Sequence, residues 1–91
     1  MNLTFTKQGN SYVAEFDATA DFNLHIERPK EGYLRVYQRT GGSGGFAYVE
    51  GLSKYAFDKI IDLDFTGAVY PKSIKVVSDV QPSLATVNVG E

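Results

Sequence analysis

Three groups of residues in this chain have types and spacings that bear on chemistry. The first is acidic: Asp58, Asp62 and Asp64 share one strand parity, with Ile60 between them. Carboxylates at i and i+2 on a strand lie roughly 7 Å apart on one face. Calcium needs about six to eight oxygens from a flexible loop, and no Asp-x-Asp-x-Asp-Gly pattern is present. A glycosidase acid and nucleophile would need surroundings that split their pKa values, and nothing nearby in the sequence supplies them. A solvated sheet face is the expectation. The second is His25, the only histidine. Its parity sets it with Asn23 and Glu27, opposite Phe22, Leu24 and Ile26, so it should face solvent or an interface. With no cysteine a Cys–His pair is impossible, and the sequence nominates no partner that would make His25 a base. The third is Thr40-Gly41-Gly42-Ser43-Gly44-Gly45. Bare amides can cradle phosphate, but the loop lacks the Gly-Lys-Ser/Thr ending and leads into a strand. It reads as a hairpin tip, mobile unless a partner orders it.

No catalytic residue, metal ligand or cofactor follows from these groups. The surplus lies elsewhere. Tyr33, Arg35, Tyr37 and Arg39 line one face of one strand, and Tyr48 falls on the strand that should pair with it across the glycine tip. Tyrosine and arginine are enriched at protein interfaces, and tyrosine rings stack on sugars. The competing reading is a second layer of core with arginine stems packed over it. These five residues are the candidate binding or interface set.

The elements that must position them are strands. Phe22, Leu24 and Ile26 alternate with Asn23, His25 and Glu27; Leu34 and Val36 alternate with Tyr33, Arg35 and Tyr37; Ile61, Leu63 and Phe65 alternate with Asp62 and Asp64. Strand side chains point to opposite faces with a period of two, so this pattern is that of half-buried sheets. Turn signals at Gln8-Gly9-Asn10, 18–21, Pro29-Lys30-Glu31-Gly32, the glycine tip, Gly67, Pro71 and Pro82 separate strands at 3–7, 11–17, 22–27, 33–39, 46–50, 73–78 and 84–89. Only residues 52–59 carry helical spacing, with Leu52, Tyr55, Ala56 and Lys59 at i, i+3, i+4 and i+7. An antiparallel β-sandwich or jelly-roll-like domain of seven or eight short strands spanning 1–91 is expected. Phe5, Phe16, Phe22, Leu24, Ile26, Leu34, Val36, Ile61, Leu63, Phe65, Ile74 and Val76 should form most of its core.

Composition narrows the partners. Eleven acidic against nine basic residues give a net charge of −2, which argues against nucleic-acid binding. No apolar run approaches the ~20 residues of a membrane span, and the first residues do not read as a signal peptide. A chain of 91 residues buries roughly two-thirds of its unfolded surface. With no disulfide to support so thin a core, oligomerisation is one way to bury more.

One stretch resembles a family. Glu27-Arg28-Pro29-Lys30-Glu31-Gly32-Tyr33-Leu34-Arg35-Val36-Tyr37-Gln38-Arg39 leads into Phe46-Ala47-Tyr48-Val49, followed by Asp64-Phe65-Thr66-Gly67, Ile74-Lys75-Val76-Val77-Ser78 and Ala85-Thr86-Val87. That order of strands and spacers is similar to small all-β accessory virion proteins of tailed bacteriophages and prophages, of the head-fibre or decoration type. The resemblance implies assembly or surface attachment, often as a symmetric oligomer, and no enzymatic activity. The expected function is a non-enzymatic structural module that associates with itself and with other structural proteins, in a virion or the cytoplasm. The alternative is a carbohydrate-binding β-sandwich. It would use Tyr33, Tyr37 and Tyr48 as a stacking platform, with Arg35, Arg39 and Asp62 bonding glycan hydroxyls.

Overall fold

Strict alternation forces each strand to send one set of side chains inward and the other outward, and two sheets with facing apolar sides satisfy that demand. The computed structural model describes residues 1–40, 44–49, 59–66 and 71–89. Among the described residues there are eight strands and no helix: β1 (Thr6–Gln8), β2 (Ser11–Ala18), β3 (Phe22–Glu27), β4 (Leu34–Thr40), β5 (Ala47–Tyr48), β6 (Ile60–Phe65), β7 (Lys72–Ser78) and β8 (Leu84–Val89). They form a five-stranded sheet in the order β1-β2-β7-β4-β5 and a three-stranded sheet in the order β6-β3-β8. Every pairing is antiparallel. The fold is an all-β sandwich, as the alternation predicts. The glycine tip at 41–43, Asp58 and all but Lys59 of the helical spacing at 52–59 lie outside the described residues.

The first hairpin departs from the expected strand at 3–7. Gln8 pairs with Ser11, leaving Gly9-Asn10 as a two-residue turn. Gly9 alone takes a positive φ, +63°, the pattern of a type II′ turn that suits right-twisted strands. Residues 1–3 do not extend β1. They run beside β8 in the other sheet, where Leu3 N–H donates to Ala85 O at 2.9 Å and Val87 N–H donates to Met1 O at 2.8 Å. The chain crosses between sheets at Phe5, which is buried.

All twelve residues expected in the core are buried in one cluster. Phe16 on β2 meets Phe22 on β3 edge-to-face at 5.3 Å, and Phe22 stacks on Phe65 of β6 at 4.4 Å. These rings join the two sheets. Ala14, Ala18, Ala85 and Val87 complete the cluster.

A buried charge fixes the corner between β3, β4 and β7. The Arg28 side chain is fully buried. Its Nη2 donates to Gly32 O at 2.5 Å, and its Nη1 donates to Tyr33 O at 2.7 Å. The Asp79 carboxylate stands 3.9 Å away. Gly32 is required here for space, because a Cβ would overlap the Asp79 carboxylate and lie 2.8 Å from Val80 Cγ2. Sequence reading did not single out Arg28, since nothing local distinguishes it from a surface arginine.

Candidate functional site

Residues directly opposite in an antiparallel pair share a face, so the register builds the outer side of the five-stranded sheet row by row. One row runs Val13–Val77–Arg35, the next Glu15–Lys75–Tyr37–Tyr48, and the third Asp17–Ser73–Arg39. Tyr33 precedes β4 on the same parity. The five residues expected to act together therefore do share one surface; β5 pairs with β4 as expected, and the register sets Tyr48 opposite Tyr37.

That surface is a layer of rings and cations. The Arg35 guanidinium lies 4.6 Å from the centre of the Tyr33 ring, and that of Arg39 lies 4.6 Å from the Phe46 ring. Lys75 Nζ sits 5.6 Å from Tyr37 and 5.8 Å from Phe46. The Tyr37 and Tyr48 rings are 5.5 Å apart and tilted by 59°. Arg35 is exposed and Tyr48 is 45% exposed, whereas Tyr33, Tyr37, Arg39 and Phe46 are half-buried. Val13, on this outer side, is nonetheless buried and stands apart from the core cluster. The face is thus neither inter-sheet core nor a bare platform: its own rings and arginine stems half-cover it. Cation–ring contacts of this kind contribute ~0.5–1 kcal/mol each at exposed positions. They hold the positive charges in place without neutralising them.

Two members of the layer were not in the candidate set. Phe46 lies two residues before Tyr48 on the same parity, a signal present in the sequence. Lys75 comes from β7, and only the tertiary pairing of β7 beside β4 brings it in. One expected member is absent. Asp62 belongs to β6 of the three-stranded sheet, so it cannot join Tyr33, Tyr37 and Tyr48 in a glycan platform. The tilt between Tyr37 and Tyr48 and the cations over the rings also leave no flat, open run of tyrosine faces.

The outer side of the three-stranded sheet has the opposite character. Its rows are Ile60–Glu27–Leu84, Asp62–His25–Thr86 and Asp64–Asn23–Asn88. His25 does find partners there: Nδ1 lies 2.8 Å from Asp62 Oδ1 and Nε2 lies 2.8 Å from Glu27 Oε2. Its pKa is raised above 6.5, first by the hydrogen bond to Glu27 and then by that to Asp62, because the protonated ring donates to both. With both nitrogens engaged, the ring holds two carboxylates together and presents neither nitrogen to a substrate proton. Asp64 Oδ1 accepts from Asn23 Nδ2 at 2.9 Å. Asp62 and Asp64 are spent on neighbours in this way. Among the described residues no group of three or more His, Cys, Asp or Glu side chains is placed to hold a metal ion.

A groove of about 350 Å³ opens at one end of the sandwich, lined by residues 17–20, Phe22, residues 87–89 and Met1. Its ionisable side chain is Asp17, which accepts a 2.7 Å hydrogen bond from Ser73 Oγ. Among the described residues no helix is long and apolar enough to cross a membrane. No protein-family model, curated protein or solved structure matches this chain.

Proposed function

We propose that this protein is a non-enzymatic structural module that associates with itself, using the outer face of β4, β5 and β7 as its contact surface. The observation that carries the reading is a layer of four aromatic rings and three cations laid outside a sheet whose core is complete without it. A side chain such as Tyr48, 45% exposed at the edge of that layer, loses water-exposed apolar area only when a partner covers it. The resemblance to accessory virion proteins supplies the setting: a head-fibre or decoration component of a phage or prophage particle, meeting its own copies and other structural proteins.

Sedimentation velocity across a micromolar concentration series tests the reading. The wild-type chain should show a concentration-dependent rise in sedimentation coefficient, weakened by Tyr48→Ser, with the thermal melt unchanged. A strict monomer throughout would remove the self-association. In that case a hit on a glycan array, lost in Tyr37→Ala and Tyr48→Ser, would move the assignment to a carbohydrate-binding module.

A further inference from the structure

The two outer faces differ in sign as well as in content, and the difference selects how copies would meet. The face of β4, β5 and β7 presents Arg35, Arg39 and Lys75; its carboxylates, Glu15 and Asp17, lie across on β2, and Asp17 is held by Ser73. The face of β6, β3 and β8 presents Glu27, Asp62 and Asp64, with the imidazole of His25 between the first two. The acidic face also carries apolar surface. Ile60, 66% exposed, and Leu84, 43% exposed, flank Glu27 in one cross-strand row.

We infer that copies associate head to tail, the acidic face of β6-β3-β8 on one copy seated on the aromatic and cationic face of β4, β5 and β7 on the next. The inference rests on the self-association proposed above and names its partner surface. A two-fold contact of the acidic face with its own counterpart would set three carboxylates, joined only by His25, against three, and like charges brought together across an interface are strongly unfavourable. On the other face the three cations outnumber Glu15 and Asp17. The head-to-tail arrangement instead pairs the signs, and it covers Ile60 and Leu84 with the rings of Tyr37, Phe46 and Tyr48. A contact between two unlike surfaces does not close on itself after one partner, so it yields rings or open filaments. A three-stranded face six residues long covers about 15 by 20 Å, which places the contact among small, weak interfaces.

Two double variants test this, each disabling one face at exposed positions: Ile60→Lys with Asp64→Lys, and Arg35→Glu with Tyr48→Ser. Wild-type protein should form assemblies larger than dimers that shrink as salt rises, since screening weakens exposed charge pairs. Each double variant alone should remain monomeric at concentrations at least about tenfold above the wild-type midpoint. Their equimolar mixture should form a 1:1 dimer that grows no further, because one intact surface of each kind remains. Neutral versions, Ile60→Ser with Asp64→Asn and Arg35→Gln with Tyr48→Ser, should give the same pattern at reduced amplitude and replace any reversal that fails to fold by circular dichroism. If the acidic-face variant associates as wild type does while the other does not, the contact joins like faces. Head-to-tail pairing is then wrong and self-association stands. If wild-type protein is monomeric, both fall.

Discussion

His25 illustrates how one side chain couples a sheet face to pH. In the unfolded chain its imidazole titrates near 6.5; in the fold, hydrogen bonds to Glu27 and then Asp62 raise that value. A raised folded-state pKa means the folded form binds the proton more tightly. The stabilisation is therefore fully present below about pH 6.5 and is lost as pH rises through the folded pKa. The ring is partly solvated, so the effect is modest. Thermal melts of wild type and His25→Gln should differ most below about pH 6.5 and converge as pH rises through the folded-state pKa. Nuclear magnetic resonance titration of the imidazole should give a pKa above 6.5 that falls in Asp62→Asn. A wild-type value at or below 6.5 would show that the ring is not clamped.

Among the elements, the junction of β3, β4 and β7 depends on Arg28. Nη1 also reaches Ser78 Oγ at 3.4 Å, and that hydroxyl donates in turn to Val80 O at 2.7 Å. Replacing Arg28 with Met would fill much of the volume but strand the carbonyls of Gly32 and Tyr33 and the nearby Asp79 carboxylate. The expected loss is ~2–4 kcal/mol of unfolding free energy, read by denaturant titration. Gly32→Ala should cost ~1–3 kcal/mol through overlap with Asp79 and Val80. That cost should shrink in an Asp79→Ala background, where the overlapping carboxylate is gone. Equal costs in both backgrounds would show that the crowding is not the cause.

For the molecule as a whole, the N-terminal residues close an otherwise open sheet edge. Asn2 bridges Thr86, and the backbone bonds of Met1 and Leu3 occupy the outer side of β8. An uncovered edge carrying Leu84 and Val89, which are 43% and 68% exposed, would template pairing with other chains. Deleting residues 1–4 should speed hydrogen exchange at the Val87 amide, which donates to Met1 O. It should also raise light scattering below the melting temperature. Unchanged exchange at Val87 would mean the edge is protected some other way.

The strand alternation at 22–27 and around Ile61, Leu63 and Phe65 determined which side chains face inward, because parity is a property of the backbone that no long-range contact can change. For the same reason eleven of the twelve expected core residues are in the core; Phe5 lies outside the strands, and its burial was decided where the chain crosses between the sheets. Gly9 located the first turn, since few residues other than glycine take its φ of +63° cheaply. That β4 and β5 pair was legible because they follow one another along the chain; that Tyr48 stands opposite Tyr37 was set by the register of the folded sheet. The placement of Lys75 beside Tyr37, of Asp62 beside His25, and of residues 1–3 beside β8 was decided only in three dimensions. Each depends on which strand becomes whose neighbour, a choice made by burial across the whole sandwich and carried by no local period. Parity told that Asp62 points outward; only the assembled sheets told that it points away from the tyrosines.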